Sequence, residues 1–309
     1  QPTFFTFDLG NNDVLGYATS GGDGSVAITS QANFDAAYNA AIGKLLAYTS
    51  AKGVVSTIPN VTTIPYFFTV SWNAIPLDDA HAAGLNATLA AGYNNFLDAM
   101  VGANQITAGE AATRKINYVA GQNPVLIVDE TLTDLTAQMN GAGATALLAL
   151  AQARQTTSSD LILLPAGAIL GTLADPNNSS SVYGVAVPLA DKYALIPSET
   201  TAILTATAGF NATINAAAAG SGGRIAVADV NAAFAALVSQ KIQTYNGIFI
   251  SPSLAPPTGG FSEDGVHPNT RGYALLANIF INAINAKFGS TLPLVDLSAY
   301  QGTALPINP

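Results

Sequence analysis

Two histidines stand in the 309 residues, His81 and His267, so any mechanism that moves a proton through an imidazole has a short list of candidates. His267 falls in Ser262-Glu263-Asp264-Gly265-Val266-His267-Pro268-Asn269. An Asp three residues before a His on a turn lets the carboxylate reach Nδ1–H. That contact fixes the tautomer and stabilises the imidazolium formed when the other nitrogen takes a proton. The same letters also spell an Asp/Asn-rich helix N-cap with an incidental His. A second candidate, Gly10-Asn11-Asn12-Asp13, follows the apolar run Phe4-Phe5-Thr6-Phe7. The carboxyl ends of strands in an open α/β sheet are where ligands bind. An Asn there can aim its amide at a developing oxyanion, and Gly10 permits the tight turn that presents it. Read blandly, Gly and Asn merely end a strand.

Other groups offer weaker chemistry. His81, with Asp78 and Asp79, reads either as a site-lining or metal-binding cluster or as the solvated first turn of a helix. Asp129, Glu130 and Asp134 form a candidate carboxylate pair for glycoside chemistry, or acids on a turn that face water. Glycosylation sequons occur at Asn60, Asn86, Asn178 and Asn211. Trp72 and the run Tyr66–Phe68 read as core or as lining. There is no cysteine, which excludes disulfides, thiolate metal sites and cysteine nucleophiles. Ten basic against nineteen acidic residues give a net charge of −9 with no basic stripe, so no nucleic-acid partner is expected. Charged residues make up only 9%, leaving Ser, Thr, Asn and Gln to supply the polar surface. No uninterrupted apolar run is long enough for a membrane span. The opening at Gln1, straight into an apolar run, suggests an N-terminus removed by processing, proteolysis or design.

The elements that must position these groups follow βαβ grammar. Thr3–Leu9 reads as a buried strand, Ala32–Ala51 as an amphipathic helix and Gly53–Ile58 as the next strand. Such units build parallel sheets covered by helices. Near the other end, Ser198–Ala219 reads as a long helix, Arg224–Val230 as a strand and Asn231–Gln240 as a helical turn or two. Asn269–Phe288 reads as an apolar helix stopped by Gly289. Residues 69–190 are less regular, with a helix expected around Ala80–Val101 and strands at Val125–Val128 and Leu161–Leu164. The expected organisation is a core made of residues 1–68 and 191–309, with 69–190 inserted as a cap.

Taken together, the two motifs resemble a family. Thr3–Leu9 followed by Gly10-Asn11-Asn12-Asp13 resembles the Gly-x-Asn-Asp block of the SGNH (GDSL-like) hydrolases. Asp264-Gly265-Val266-His267-Pro268-Asn269, followed by Gly272-Tyr273, resembles that family's final Asp-x-x-His block and the helix after it. The blocks occur in the family's order, and the likeness in organisation covers roughly residues 1–68 and 190–290.

The resemblance implies an α/β class fold, a flavodoxin-like three-layer α/β/α core, and a serine hydrolase of esterase or lipase type acting on an ester substrate. His267 would be the general base and Asp264 its orienting partner. Asn12 would be an oxyanion-hole donor, Gly10 would shape the turn, and Asp13 would hold it. No metal or organic cofactor is implied. The sequence departs from the family at the nucleophile, whose Gly-Asp-Ser block should precede the Asn block. Gly22-Asp23-Gly24-Ser25 follows that block and breaks the motif, and Ser20 and Ser221 lack the Gly-x-Ser-x-Gly elbow.

The expectation is therefore that the first strands and their serine lie on a separate N-terminal fragment bound to this chain. Without them an apolar sheet edge would be left open. The composition suits a secreted or cell-envelope protein of bacterial type, with neutral acyl esters favoured over phosphorylated substrates. The alternative is a non-catalytic secreted surface or binding module on a hydrolase scaffold.

Overall fold

A computed structural model describes residues 2–245 and 247–303. In chain order it begins with β1 (Phe4–Phe7), α1 (Asn12–Thr19), α2 (Gln31–Tyr48) and β2 (Lys52–Ser56). Next come β3 (Ile75–Leu77), α3 (Asp79–Leu85), α4 (Ala91–Gly102), α5 (Ala108–Arg114), β4 (Gly121–Asn123) and β5 (Leu126–Val128). Then follow α6 (Thr136–Gly141), β6 (Ala153–Gln155), β7 (Leu161–Ile162) and β8 (Ala194–Leu195). The last elements are α7 (Pro197–Ala219), β9 (Ile225–Ala228), α8 (Val230–Gln240), β10 (Gln243–Tyr245), β11 (Ile248–Ile250) and α9 (Thr270–Phe288). The protein is mixed α/β with a small parallel sheet. It divides into two compact units, one of Gln1–Thr19, Gly24–Phe67 and Ser198–Pro309, the other of Ser20–Asp23 and Phe68–Pro197.

The first unit is built on a parallel sheet of order β1-β2-β9. Side chains alternate across a strand, and each face of β1 meets a helix. Phe4 packs edge-on against Phe288 of α9, while Phe7 packs edge-on against Tyr38 of α2. The α2 stripe Phe34, Tyr38 and Ile42 is buried at the spacing one helix face requires. Phe34 in turn stacks on Phe210 of α7 with centroids 4.1 Å apart. Gly53 in β2 lies under the Phe5 ring, where a Cβ would come within 2.3 Å. That position therefore admits no side chain without moving the ring. On the α9 face, Val54, Ala226, Ala228 and Ile284 form a common apolar cluster.

Near the cleft, boundaries differ from the expectation for physical reasons. The strand expected over Thr3–Leu9 stops at Phe7, because Gly10, at φ 117°, begins a sharp turn. The run of turn formers that follows opens a helix, with the Asn11 carbonyl accepting from Leu15 N at 3.0 Å. Asn and Asp do serve helix starts as well as turns.

The second unit buries a separate core around Tyr93, Leu97, Tyr118, Leu126, Ile127, Leu135 and Met139. Its strands form short antiparallel pairs, β3–β4, β5–β6 and β7–β8. The helix expected over Ala80–Val101 is two helices joined by a wider turn at Asn86–Ala90. There the Asn86 side chain donates to the Tyr118 carbonyl and accepts from Tyr118 N. The strand expected over Leu161–Leu164 ends at Ile162, since Pro165 turns the chain into a 3-10 helix over Leu164–Ala168.

Candidate functional site

The Asp264–His267 turn precedes α9 and is assembled almost wholly from its own residues. Asp264 Oδ1 accepts from Val266 N and His267 N, both at 2.9 Å, and from the Ser262 hydroxyl at 2.7 Å. Those bonds leave Oδ2 to meet His267 Nδ1 at 2.7 Å. Gly265, at φ 72°, supplies the left-handed residue that closes the turn. Partial burial of Asp264 works against its charge, yet the bonds from the His267 ring, the two amides and Ser262 outweigh it. Its carboxyl is held well below the ordinary carboxylate range. The pair is thus a fixed carboxylate with an imidazole set on it, Nε2 being left for other work.

The far side of the turn is pinned by Asn269. Its Oδ1 caps α9 by accepting from Arg271 N and Gly272 N, and its Nδ2 donates to the Gly259 carbonyl at 2.8 Å. Gly272 lets the helix approach Gly260, whose carbonyl oxygen a Cβ would meet at 2.2 Å. Sequence reading passed over Ser262 as a carboxylate partner, while its alternative, an Asp/Asn-rich N-cap, describes the role Asn269 plays here.

The second candidate motif lies where β1 ends. A Cβ on Gly10 would meet Ile58 Cδ1 at 2.6 Å and Phe34 Cε2 at 3.2 Å, so glycine is required both by backbone and by space. Asp13 N bonds back to the Gly10 carbonyl, and the Asp13 carbonyl accepts from Thr29 N. Asn12 is exposed at the start of α1. Beside it, Asp8 accepts a 2.5 Å hydrogen bond from the buried Ser56 hydroxyl.

Both motifs open into one cleft of about 520 Å³ within the first unit. Gly10, Asn12, Asp13 and His267 line it, and Asp264 stands directly behind His267. Its floor is apolar, with Val230, Phe234 and Leu237 of α8 facing Leu275, Leu276 and Ile279 of α9. The ionisable carboxyl and imidazole groups of the lining are Asp8, Asp13 and His267. Among the described residues it contains no serine, threonine or lysine.

The remaining candidates resolve as structure. Asp78 caps α3, accepting from His81 N at 2.8 Å and from His81 Nδ1 at 2.7 Å, with both side chains well exposed, as a solvated first turn would be. Asp129 corrects the carboxylate-pair expectation and does not face water. It is buried against Arg154, which also binds Asp160, in an ion network inside the second unit. Asp134 caps Thr136 N at 2.8 Å. Asn211 is buried, donating to the Ile58 carbonyl and accepting from Ile58 N, so its sequon serves the core. Phe67 is fully buried, whereas its neighbour Phe68 is exposed. Ser221 is buried and donates to the Ala218 carbonyl at 2.6 Å. Among the described residues no helix is long and apolar enough to cross a membrane.

No family model, curated protein or solved structure matches the chain.

Proposed function

We propose that the first unit is the base-and-oxyanion half of a serine ester hydrolase of SGNH type, on a flavodoxin-like core. One observation carries the reading: a carboxylate-backed imidazole and an Asn-bearing strand-end turn line the same cleft, beside a parallel sheet with helices on both faces. In this reading His267 Nε2 takes the proton of an attacking serine, and Asp264 stabilises the imidazolium. The Asn12 amide donates to the oxyanion of the tetrahedral intermediate, with Gly10 fixing its approach. The leaving alcohol takes the proton from His267, and water then resolves the acyl-enzyme by the same route in reverse. The cleft's apolar floor and the absence of Lys and Arg among its described lining residues favour neutral acyl esters, of lipid, acetylated glycan or small soluble type. The low charge and missing cysteines agree with a secreted or cell-envelope protein.

The serine would come from a segment outside these residues. Fluorophosphonate labelling followed by denaturing mass spectrometry tests this. The expected result is a labelled serine outside residues 1–309, with labelling lost in His267→Ala. A lone unlabelled 31.4 kDa chain without esterase activity would overturn the reading. That the described lining holds no serine or threonine favours one second reading, a binding module that keeps the scaffold without catalysis.

A further inference from the structure

The β10–β11 hairpin pairs with no other described strand, and its register sorts its residues onto two faces. Gln243 stands opposite Ile250, Thr244 opposite Phe249 and Tyr245 opposite Ile248. Side chains alternate along each strand, and opposed residues share a face. Gln243, Tyr245, Ile248 and Ile250 therefore fall on one side, Thr244 and Phe249 on the other. The first side is spent inward. Tyr245 and Ile250 line the His267 cleft, and both pack with Ile248 in a cluster with Leu237, Leu275 and Leu297. The second side should then be polar, as the outer face of a half-buried antiparallel pair commonly is. Instead Phe249 is 55% exposed, and Ile242, directly before β10, is 44% exposed. The cleft mouth repeats the pattern, since Leu9 and Tyr273 both line the cleft and stay exposed. Apolar surface thus stands outside the cleft wall, at its rim and on its floor, and such patches mark sites of association.

We propose that this apolar rim docks on an electrically neutral lipid surface, with Ile242 and Phe249 inserted, and that the cleft draws its ester from that surface. The docking needs only the rim, while the choice of lipid esters among the substrates above rests on the hydrolase reading. Charge selects the surface. Lys241 is the one charged residue in positions 241–250, Asp8 and Asp13 line the cleft, and the chain carries −9. An anionic membrane attracts clusters of Lys and Arg and repels such a face, whereas a zwitterionic one does not. Area argues against a second copy of the chain. Four partly exposed side chains offer far less than the roughly 800 Å² per partner that a stable dimer buries. Reversible lipid binding scales with the apolar area inserted and needs no such minimum.

The test is flotation of the native protein with phosphatidylcholine vesicles. About half of it should float at about 1 mM lipid, the partition expected for two inserted apolar side chains. Ile242→Ser combined with Phe249→Ser should weaken flotation at least about tenfold, with circular dichroism checking that the double variant folds. A second variant, Phe249→Trp, keeps the face apolar and stands as the readout should the first fail to fold. Its emission should shift to the blue on vesicles, a change that the native protein, with Trp72 alone, lacks. Flotation that the double variant retains, or Phe249→Trp emission that vesicles leave unshifted, would overturn the docking. So would flotation confined to anionic vesicles, or a dimer by light scattering that the double variant dissolves. Ester hydrolysis and fluorophosphonate labelling without flotation would keep the hydrolase reading and end this one. Flotation without hydrolysis or labelling would uphold the docking and sink the hydrolase reading instead.

Discussion

The chain contains the same local device twice. Asp78-Asp79-Ala80-His81 and Asp264-Gly265-Val266-His267 both place a carboxylate oxygen 2.7 Å from a histidine Nδ1, and in both the carboxylate also accepts from the histidine's own amide. The side-chain exposures of the two histidines are similar, 75% and 66%. Distance and exposure thus fail to separate them. What separates them is how the carboxylate is divided and what lies in front of the ring. Asp78 uses the one oxygen, Oδ1, for both helix cap and ring. Asp264 gives Oδ1 to two amides and Ser262, and keeps Oδ2 for His267. His267 then faces a cleft shared with Asn12, whereas His81 sits on the first turn of a surface helix. An Asp-x-x-His contact is a cheap product of a capped turn; on the proposed reading it becomes chemistry only where a cleft and an oxyanion donor are supplied as well.

That comparison breaks most readily by exchanging the two histidines' fates. On the proposed hydrolase reading, His267→Ala in the native protein should lower kcat/KM for a p-nitrophenyl ester by about 10⁴-fold, while His81→Ala leaves it unchanged. Equal losses would show that the local device alone decides, and the argument from the cleft would fall. Asp264→Asn is the sharper probe, with an expected loss of about 10³-fold. The amide oxygen can still accept from Val266 N and His267 N, but the charge behind the imidazolium is gone. Asn12→Ala should cost about 10²-fold, appearing in kcat more than in KM, because the oxyanion exists only once serine has attacked.

Much of this was legible in the residues, for reasons that also explain the gaps. The βαβ order could be read because Val54 and Val55 are buried in the sheet interior, and because Phe34, Tyr38 and Ile42 repeat at helical spacing. Asp264 and His267 were legible because their contact is made within four residues of chain. The second unit was not, since its strands are two or three residues long and pair antiparallel across distant segments. Patterns that short carry no periodicity. Asp129 was misread for a related reason: its partner Arg154 is 25 residues away and invisible to local spacing. The likeness of the two Asp-x-x-His turns, by contrast, lay open in the letters.

The smallest effects separate the carboxylates by sign. Asp264 is held below its ordinary value, so below about pH 4 the unfolded chain binds more protons there than the folded one. Its stabilising contribution is therefore complete at neutral pH and fades as pH falls through the acidic range. Asp264→Asn should be less stable than wild type at pH 7, with the gap beginning to narrow only as pH falls below about 4, read by amide exchange at Val266 and His267. Asp191 in the second unit is pushed the other way, up to about 6, by burial and by the charges of Glu130, Asp23 and Asp129. Between about pH 4 and 6 the folded state binds more protons at Asp191, so its contribution worsens as pH rises through that window. Asp191→Asn should then be more stable than wild type at pH 7 and equal to it at pH 4. Trp72, the single tryptophan, lies in that second unit and reports its urea unfolding by fluorescence. Opposite slopes would show that the protein holds charge ready beside its cleft while merely tolerating it in the second unit. Parallel slopes would mean that the turn before α9 does not hold the Asp264 charge, and that the two units treat charge alike.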